Sequence, residues 1–229
     1  ATVLRGHMGY GASSRLHTAA VLRLSEDLPV VIEIVDRPDR IADFLPELRG
    51  MKIWAHTARN NLESSLGRAV GHDGVQWEMS LGYHIGCIRW YGASCLFARR
   101  NGMEFAEEYG RRLRAMGEFV DMLVLPDGTV PCIGDADRIR QWRTGLTLLR
   151  AIFPDARFAH ASPPTHRSIW TSGGEVWDAG AEPAGELPTL RTFDAAGIAI
   201  ARSAPGADGT LLVLDNGPNH ASHAHMDNL

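Results

Sequence analysis

Leu211-Leu212-Val213-Leu214-Asp215-Asn216-Gly217-Pro218-Asn219-His220-Ala221-Ser222-His223-Ala224-His225-Met226-Asp227 joins an apolar run that reads as a strand to a loop rich in histidine. In extended backbone the side chains at i, i+2 and i+4 share a face, so His223, His225 and Asp227 point the same way. Imidazoles are the commonest metal ligands and the only side chains that titrate near neutrality unperturbed. The cluster therefore admits a metal site, an acid/base site or both. The plain alternative is a polar loop with solvated histidines.

Working back from this stretch, two more strand-like segments precede it, Thr192-Phe193 and Gly197 to Arg202, with a turn at Gly206-Ala-Asp-Gly209. Everything before Pro154 reads as helix. Ser13 to Leu24 places Leu16, Ala19, Ala20 and Leu24 at helical spacing behind a Ser13 or Ser14 cap. Pro38-Asp39-Arg40 opens another helix with Ile41, Phe44, Leu45 and Leu48 on one face. From Pro46 to about Val70 the pattern continues until Gly71-His72-Asp73-Gly74 breaks it. Ser80 to Arg100 sets Leu81, His84, Ile88, Tyr91 and Cys95 on one side and ends at Asn101-Gly102. Glu104 to Leu125 and Asp137 to Phe153 follow. Successive amphipathic helices joined by short loops predict an α/α toroid or a bundle. The expected domains are thus a helical one at 1–153, an irregular linker at 154–190 and the start of an antiparallel β-domain at 191–229.

The net charge of −4 argues against a nucleic-acid partner, which would need clustered positive charge. No run reaches the roughly 18 apolar residues of a membrane span. The chain starts at Ala1 and stops just past the histidine cluster. Both ends read as cuts, so the expectation is a piece from the middle of a longer protein. Cys87, Cys95 and Cys132 are odd in number and lack Cys-x-x-Cys spacing, which argues against a disulfide framework or a thiolate zinc site. Cys87 and Cys95 read as small buried hydrophobes.

Asp73-Gly74-Val75-Gln76-Trp77-Glu78-Met79-Ser80-Leu81-Gly82-Tyr83-His84 is the second informative stretch. A tight turn feeds a helix whose first turn carries Tyr83 and His84. A tyrosine there can move a proton if its phenol lies in a cleft; otherwise it closes a core with a wet hydroxyl. Trp77 could stack a sugar ring, though burial is the simpler expectation, as it is for Trp54, Trp90 and Trp142. Asp127 and Asp135 read as turn residues, and His160 and His166 have no evident partners.

Taken together, Asp73 to His84, Leu125 to Asp135 and Asp215 to Leu229 resemble, in order, the motifs of the heparinase II/III-like polysaccharide lyases. The resemblance covers roughly residues 44–229. It implies an α/α toroid followed by an antiparallel β-sandwich, with a cleft between them, and cleavage of uronic-acid polysaccharides by β-elimination. The C5 proton of a uronate is barely acidic until the adjacent carboxylate is neutralised by hydrogen-bond donors or a cation. A base then removes that proton while an acid protonates the departing O4, and a phenol or an imidazole can do either.

By this resemblance Tyr83 matches the catalytic tyrosine, the acid and a candidate base. His223 matches the histidine that reaches the cleft from the β-domain. His225 matches the first ligand of a structural zinc ion whose other ligands would follow Leu229. Glu78 and His84 are expected to meet substrate. The pair that neutralises the carboxylate has its nearest counterpart in Gly6-His7, with His17 and Asn60-Asn61 as competitors. An apparent insertion lies around Leu28–Asp43, and the loop Pro218–Ser222 lacks the usual glycines. The implied partner is an acidic polysaccharide or oligosaccharide, met in the periplasm or outside the cell, with the cytoplasm also open.

Other classes fit less of the chain. His223-Ala-His225-Met-Asp227 resembles the metallo-β-lactamase signature of zinc metallohydrolases, but Asn228 stands where its last histidine belongs. A glycoside hydrolase on an α/α toroid would use carboxylates such as Asp73, Glu78 or Asp127 and leave the histidines idle. A non-catalytic uronan-binding relative would share the cleft alone.

Overall fold

The computed structural model describes residues 2–5, 8–10, 16–18, 30–33, 37, 39–40, 42–43, 52–134, 136, 142–156, 158–163, 186–204 and 209–217. The chain divides into two compact units, Ala1–Thr57 and Ala58–Leu229.

In the first unit β1 (Thr2–Arg5) pairs antiparallel with β4 (Val30–Glu33), Thr2 opposite Glu33 and Arg5 opposite Val30. Likewise β2 (Met8–Tyr10) pairs with β3 (Leu16–Thr18). These strands correct the helix expected from Ser13 to Leu24 and the helical reading of residues 2–33. The reason is physical: β1 and β4 are four residues each, too short for a period of 3.6 to be told from one of 2. Val30-Val31-Ile32 is β-branched throughout and suits a pleated surface. Among the described residues the earliest helical ones are Asp39-Arg40 and Ala42-Asp43, just after Pro38 in sequence.

The second unit is helices and then a sheet. The described helices are α1 (Lys52–Ala69), α2 (Leu81–Arg100), α3 (Glu107–Met122) and α4 (Trp142–Ile152). In α3 the buried Tyr109, Leu113, Met116 and Val120 recur at three- and four-residue steps, which gives one apolar stripe. Glu107 and Glu108 sit in its first turn, where the helix dipole favours negative charge. α2 ends at Asn101, and Gly102 takes the left-handed backbone (φ 67°) that closes the helix. A short loop then reverses the chain, so α3 runs back along α2. Close contacts set α4 beside α2 in the same direction: a side chain at Gly145 would lie 3.2 Å from Ile88, and one at Gly92 would lie 2.9 Å from Leu148. The start of α2, the end of α3 and the start of α4 therefore share one end of the layer.

The sheet comes to that end. Its order is β5 (Leu190–Phe193), β6 (Ile198–Arg202), β7 (Leu211–Asp215), antiparallel throughout. Buried residues alternate along β6, and Ile198 and Ile200 join the helical core. Phe193 of β5 meets Phe119 of α3 edge-on with centroids 4.9 Å apart. Buried Arg202 donates to Met122 O at 3.1 Å and Val124 O at 2.6 Å, which satisfies the carbonyls at the end of α3. Arg191 pairs with Glu118 beside it. Each hydrogen bond to a charged group of this kind is worth about 1.5–3 kcal/mol.

Cys87 and Cys95 are buried and free, and burial raises the Cys87 thiol to about 12. Trp142 is buried as expected. Trp90 is not: 56 % of it is exposed on α2. Among the described residues no helix is long and apolar enough to cross a membrane.

Candidate active site

Residues 70–80 carry the chain from α1 into α2 through a turn held almost wholly by backbone. Val70 and Gln76 form an antiparallel bridge, Gly71 N donates to Val75 O at 2.8 Å, and Trp77 N donates to Ala69 O at 2.9 Å. Met79 N closes onto Gln76 O at 3.1 Å, with Met79 itself in left-handed backbone (φ 55°). A non-glycine residue held there costs on the order of 1–3 kcal/mol, and the surrounding bonds sustain it. Ser80 then precedes α2 in extended backbone.

Two residues into α2, Tyr83 is 39 % exposed. It is carried by the first turn of α2, open to solvent. His84 is the opposite case, only 2 % exposed. The Gln76 backbone N–H donates to its Nδ1 at 3.4 Å, which leaves the proton on Nε2, and Nε2–H donates to Met116 O at 3.0 Å. The ring also tilts against Phe119, centroids 5.1 Å apart. Burial pushes its pKa down to about 4. This corrects the expectation that His84 meets substrate: both ring nitrogens are engaged inside the core, and the residue ties the turn to α3. Glu78 is half-buried, and its N–H donates to Gln76 Oε1 at 3.1 Å.

The other two motifs come to this turn. Leu81 N donates to Ile133 O at 3.2 Å. Gly134, at φ 65°, passes so close that a Cβ there would lie 3.0 Å from Met79 O and 3.1 Å from Ser80 Cα, which is why the second motif needs glycine at this point. From the sheet side, Ala196 N donates to Asp73 Oδ2 at 3.0 Å, while Asp73 Oδ1 takes Val75 N at 3.2 Å. Ala196 and Gly197 in turn support the end of β7. Asn216 N donates to Gly197 O at 3.0 Å, and a Cβ on Gly197 would fall 2.5 Å from Gly217 Cα. The chain thus enters the 218–229 segment from a point tied through Ala196 to the turn before Tyr83.

His223, His225, His220, Asp227, His7 and Asp135 lie outside the described residues. Among the described residues no group of three or more His, Cys, Asp and Glu side chains is arranged to hold a metal ion. Two of the three carboxylates named for a hydrolase, Asp73 and Asp127, are committed to local hydrogen bonds. Asp73 spans two amides, and Asp127 Oδ1 takes Thr129 N at 2.9 Å and Thr129 Oγ1 at 2.7 Å as a turn residue.

Two features escape a reading of the sequence. Trp77 is 40 % exposed rather than buried. His160 has a partner after all: its Nδ1 lies 2.9 Å from Asp121 Oδ1, and the same carboxylate accepts the N–H groups of Ala159 and His160. Asp121 and His160 are 39 residues apart, so no local pattern announces the pair. Ser80 Oγ is buried without a hydrogen-bond partner and lines a void of about 10 Å³ with Gln76, Met79 and His84, room for about one water.

Residues 39–159 match the family model described as the heparinase II/III N-terminus. Residues 1–61 match another, described as an uncharacterized ACR. The heparin-sulfate lyase of Bacteroides stercoris is 25 % identical over 197 residues, covering 81 % of this chain and 26 % of that protein. The heparin-sulfate lyase of Pedobacter heparinus is 26 % identical over 189 residues, covering 80 % and 26 %. A UPF0166 protein of Aquifex aeolicus is 40 % identical over 50 residues, 22 % of this chain and 48 % of its own. Among solved structures, a heparinase III superposes with a TM-score of 0.63 at 24 % identity, covering 79 % of this chain and 26 % of that one. The heparan sulfate lyase of Pedobacter heparinus superposes at 0.60 with 21 % identity, covering 76 % and 26 %. The helical layer and the sheet after it are therefore the heparinase III fold, and the chain spans about a quarter of the length of the lyases it matches.

Proposed function

This chain belongs to the heparinase II/III family, and on that premise we propose that it serves β-elimination on a uronic-acid polysaccharide, with a heparan-type glycosaminoglycan as the first candidate. The observation that carries the reading is Tyr83: an exposed phenol on the first turn of α2, beside the turn where all three motifs meet. The names of the similar lyases support the choice of substrate class, and alginate is the next candidate.

In the proposed reaction a base takes the C5 proton of the uronate. The C5–H electron pair becomes the C4=C5 double bond, the C4–O4 bond breaks, and an acid gives its proton to O4. Tyr83 is the acid and, as phenolate, a base of suitable reach. His223 is its partner from the β-domain side, and His7 is the candidate for neutralising the carboxylate. Glu78 is proposed to meet hydroxyls of the substrate. His84 acts by holding the turn, a positioning role. By the family resemblance His225 is proposed as a ligand of a structural zinc ion; zinc there would pin the segment and take no part in proton transfer. A periplasmic or extracellular setting goes with such a substrate.

The test is the ultraviolet absorbance of the conjugated enoate when the full-length protein carrying this chain is incubated with heparan sulfate and with alginate. That protein should generate it, and the 229-residue chain alone should lack full activity. Tyr83→Phe should lower the rate by about 10²–10⁴, the usual contribution of an acid/base group, with the circular dichroism unchanged. Wild-type turnover in Tyr83→Phe would exclude the mechanism.

A further inference from the structure

Gln76 and His84 are both buried, and the N–H of one meets the ring of the other. Their chain neighbours Trp77 and Tyr83 are the exposed ones. The inward pair thus leaves one large aromatic ring on each side of a single anchored junction. Trp77 is held there firmly: its N–H is bonded to Ala69 O, the Val70–Gln76 bridge lies just before it, and the left-handed Met79 closes the turn just after it. Large apolar rings are ordinarily buried, and an indole left 40 % exposed on a rigid turn forgoes that gain. Ligand sites are lined in just this way, by aromatic faces beside a few placed polar groups. The ligand that fits one flat apolar face with polar groups at its rim is a pyranose, whose C–H bonds gather on one side of the ring.

We propose that Trp77 is a stacking wall of the substrate site, taking the C–H face of one pyranose of an acidic oligosaccharide while Tyr83 serves its neighbour. The role of Tyr83 rests on the lyase reading; the stacking rests on the exposure and rigidity of Trp77.

The experiment is a calorimetric titration of the full chain with a heparan-sulfate oligosaccharide, alongside its tryptophan fluorescence. Trp77→Ala should weaken binding about tenfold, and Trp77→Phe, which keeps a flat ring, should recover most of it. Trp90→Phe, about two turns further along α2, should change nothing. With polymer as substrate, Trp77→Ala should raise KM and leave kcat within about twofold, the sign of lost ground-state binding. Binding by Trp77→Ala equal to wild type, or no binding by the wild-type chain, would overturn the proposal. Trp77-dependent binding without enoate formation would remove the lyase reading and leave the stacking wall. Enoate formation with an unchanged KM in Trp77→Ala would do the reverse.

Discussion

Between the Gln76 amide and the Met116 carbonyl, the His84 ring has one comfortable protonation state. A second proton would have to go on Nδ1, which already faces a donor, at a site closed off from solvent. The folded pKa of about 4 lies below the ordinary 6.5, so the unfolded chain takes up the proton first as the pH falls. The contribution is complete above about pH 6.5 and is lost as the pH drops towards 4, a change on the order of 3 kcal/mol. Urea denaturation at pH 7 and pH 4.5 should show that loss, and His84→Gln should flatten this part of the profile. Here the sequence was legible in one respect: the period of α2 sets His84 with Leu81, Ile88, Tyr91 and Cys95, all now buried. Its neighbour Tyr83 drew it towards the substrate in the reading by family pattern, because adjacency in sequence hides opposite directions on a helix.

At the scale of elements, Asp73 and the Gly197–Gly217 contact decide where the sheet meets the helices. Gly197 has φ 71°, and a side chain there would strike the backbone of Asn216 and Gly217. Gly197→Ala should therefore cost more than the usual 1 kcal/mol of a glycine replacement. Amide exchange should show it locally: the Ala196 and Asn216 amides should lose protection while those of α3 and α4 keep theirs. Asp73→Ala should release Ala196 in the same way. β6 and β7 were legible because each is a five-residue segment bounded by glycine turns, Ile198–Arg202 rich in isoleucine and Leu211–Asp215 a continuous apolar run. β1 to β4 were not, since strands of three and four residues are too short to show a period, and β1 finds its partner β4 across a separation that no local window contains.

The whole chain is two compact units whose sequences resemble different families. The shift at residue 57 was invisible in composition, because both sides are ordinary mixtures of apolar and charged residues. A unit of 57 residues buries a smaller share of its surface than one of 172. Scanning calorimetry of the intact chain should accordingly resolve two transitions, the smaller unit melting first, and a chain beginning at residue 52 should show only the later one. A single sharp transition would mean that the units unfold as one.

The way the three motifs meet bears on how such a site can change over evolutionary time. The Asp73 carboxylate is the side-chain tie to Ala196, but most of the joints are main chain: Ile133 O on the Leu81 amide, Gly134 against Met79 and Ser80, and Gly197 against Gly217. Contacts of that sort make no demand on the side chains that project from the same loops. The glycines at these joints admit almost no alternative, whereas none of the joints named runs through the side chain of Trp77, Glu78 or Tyr83. A lineage built this way can change what the turn presents in small steps and inherit the scaffold unaltered.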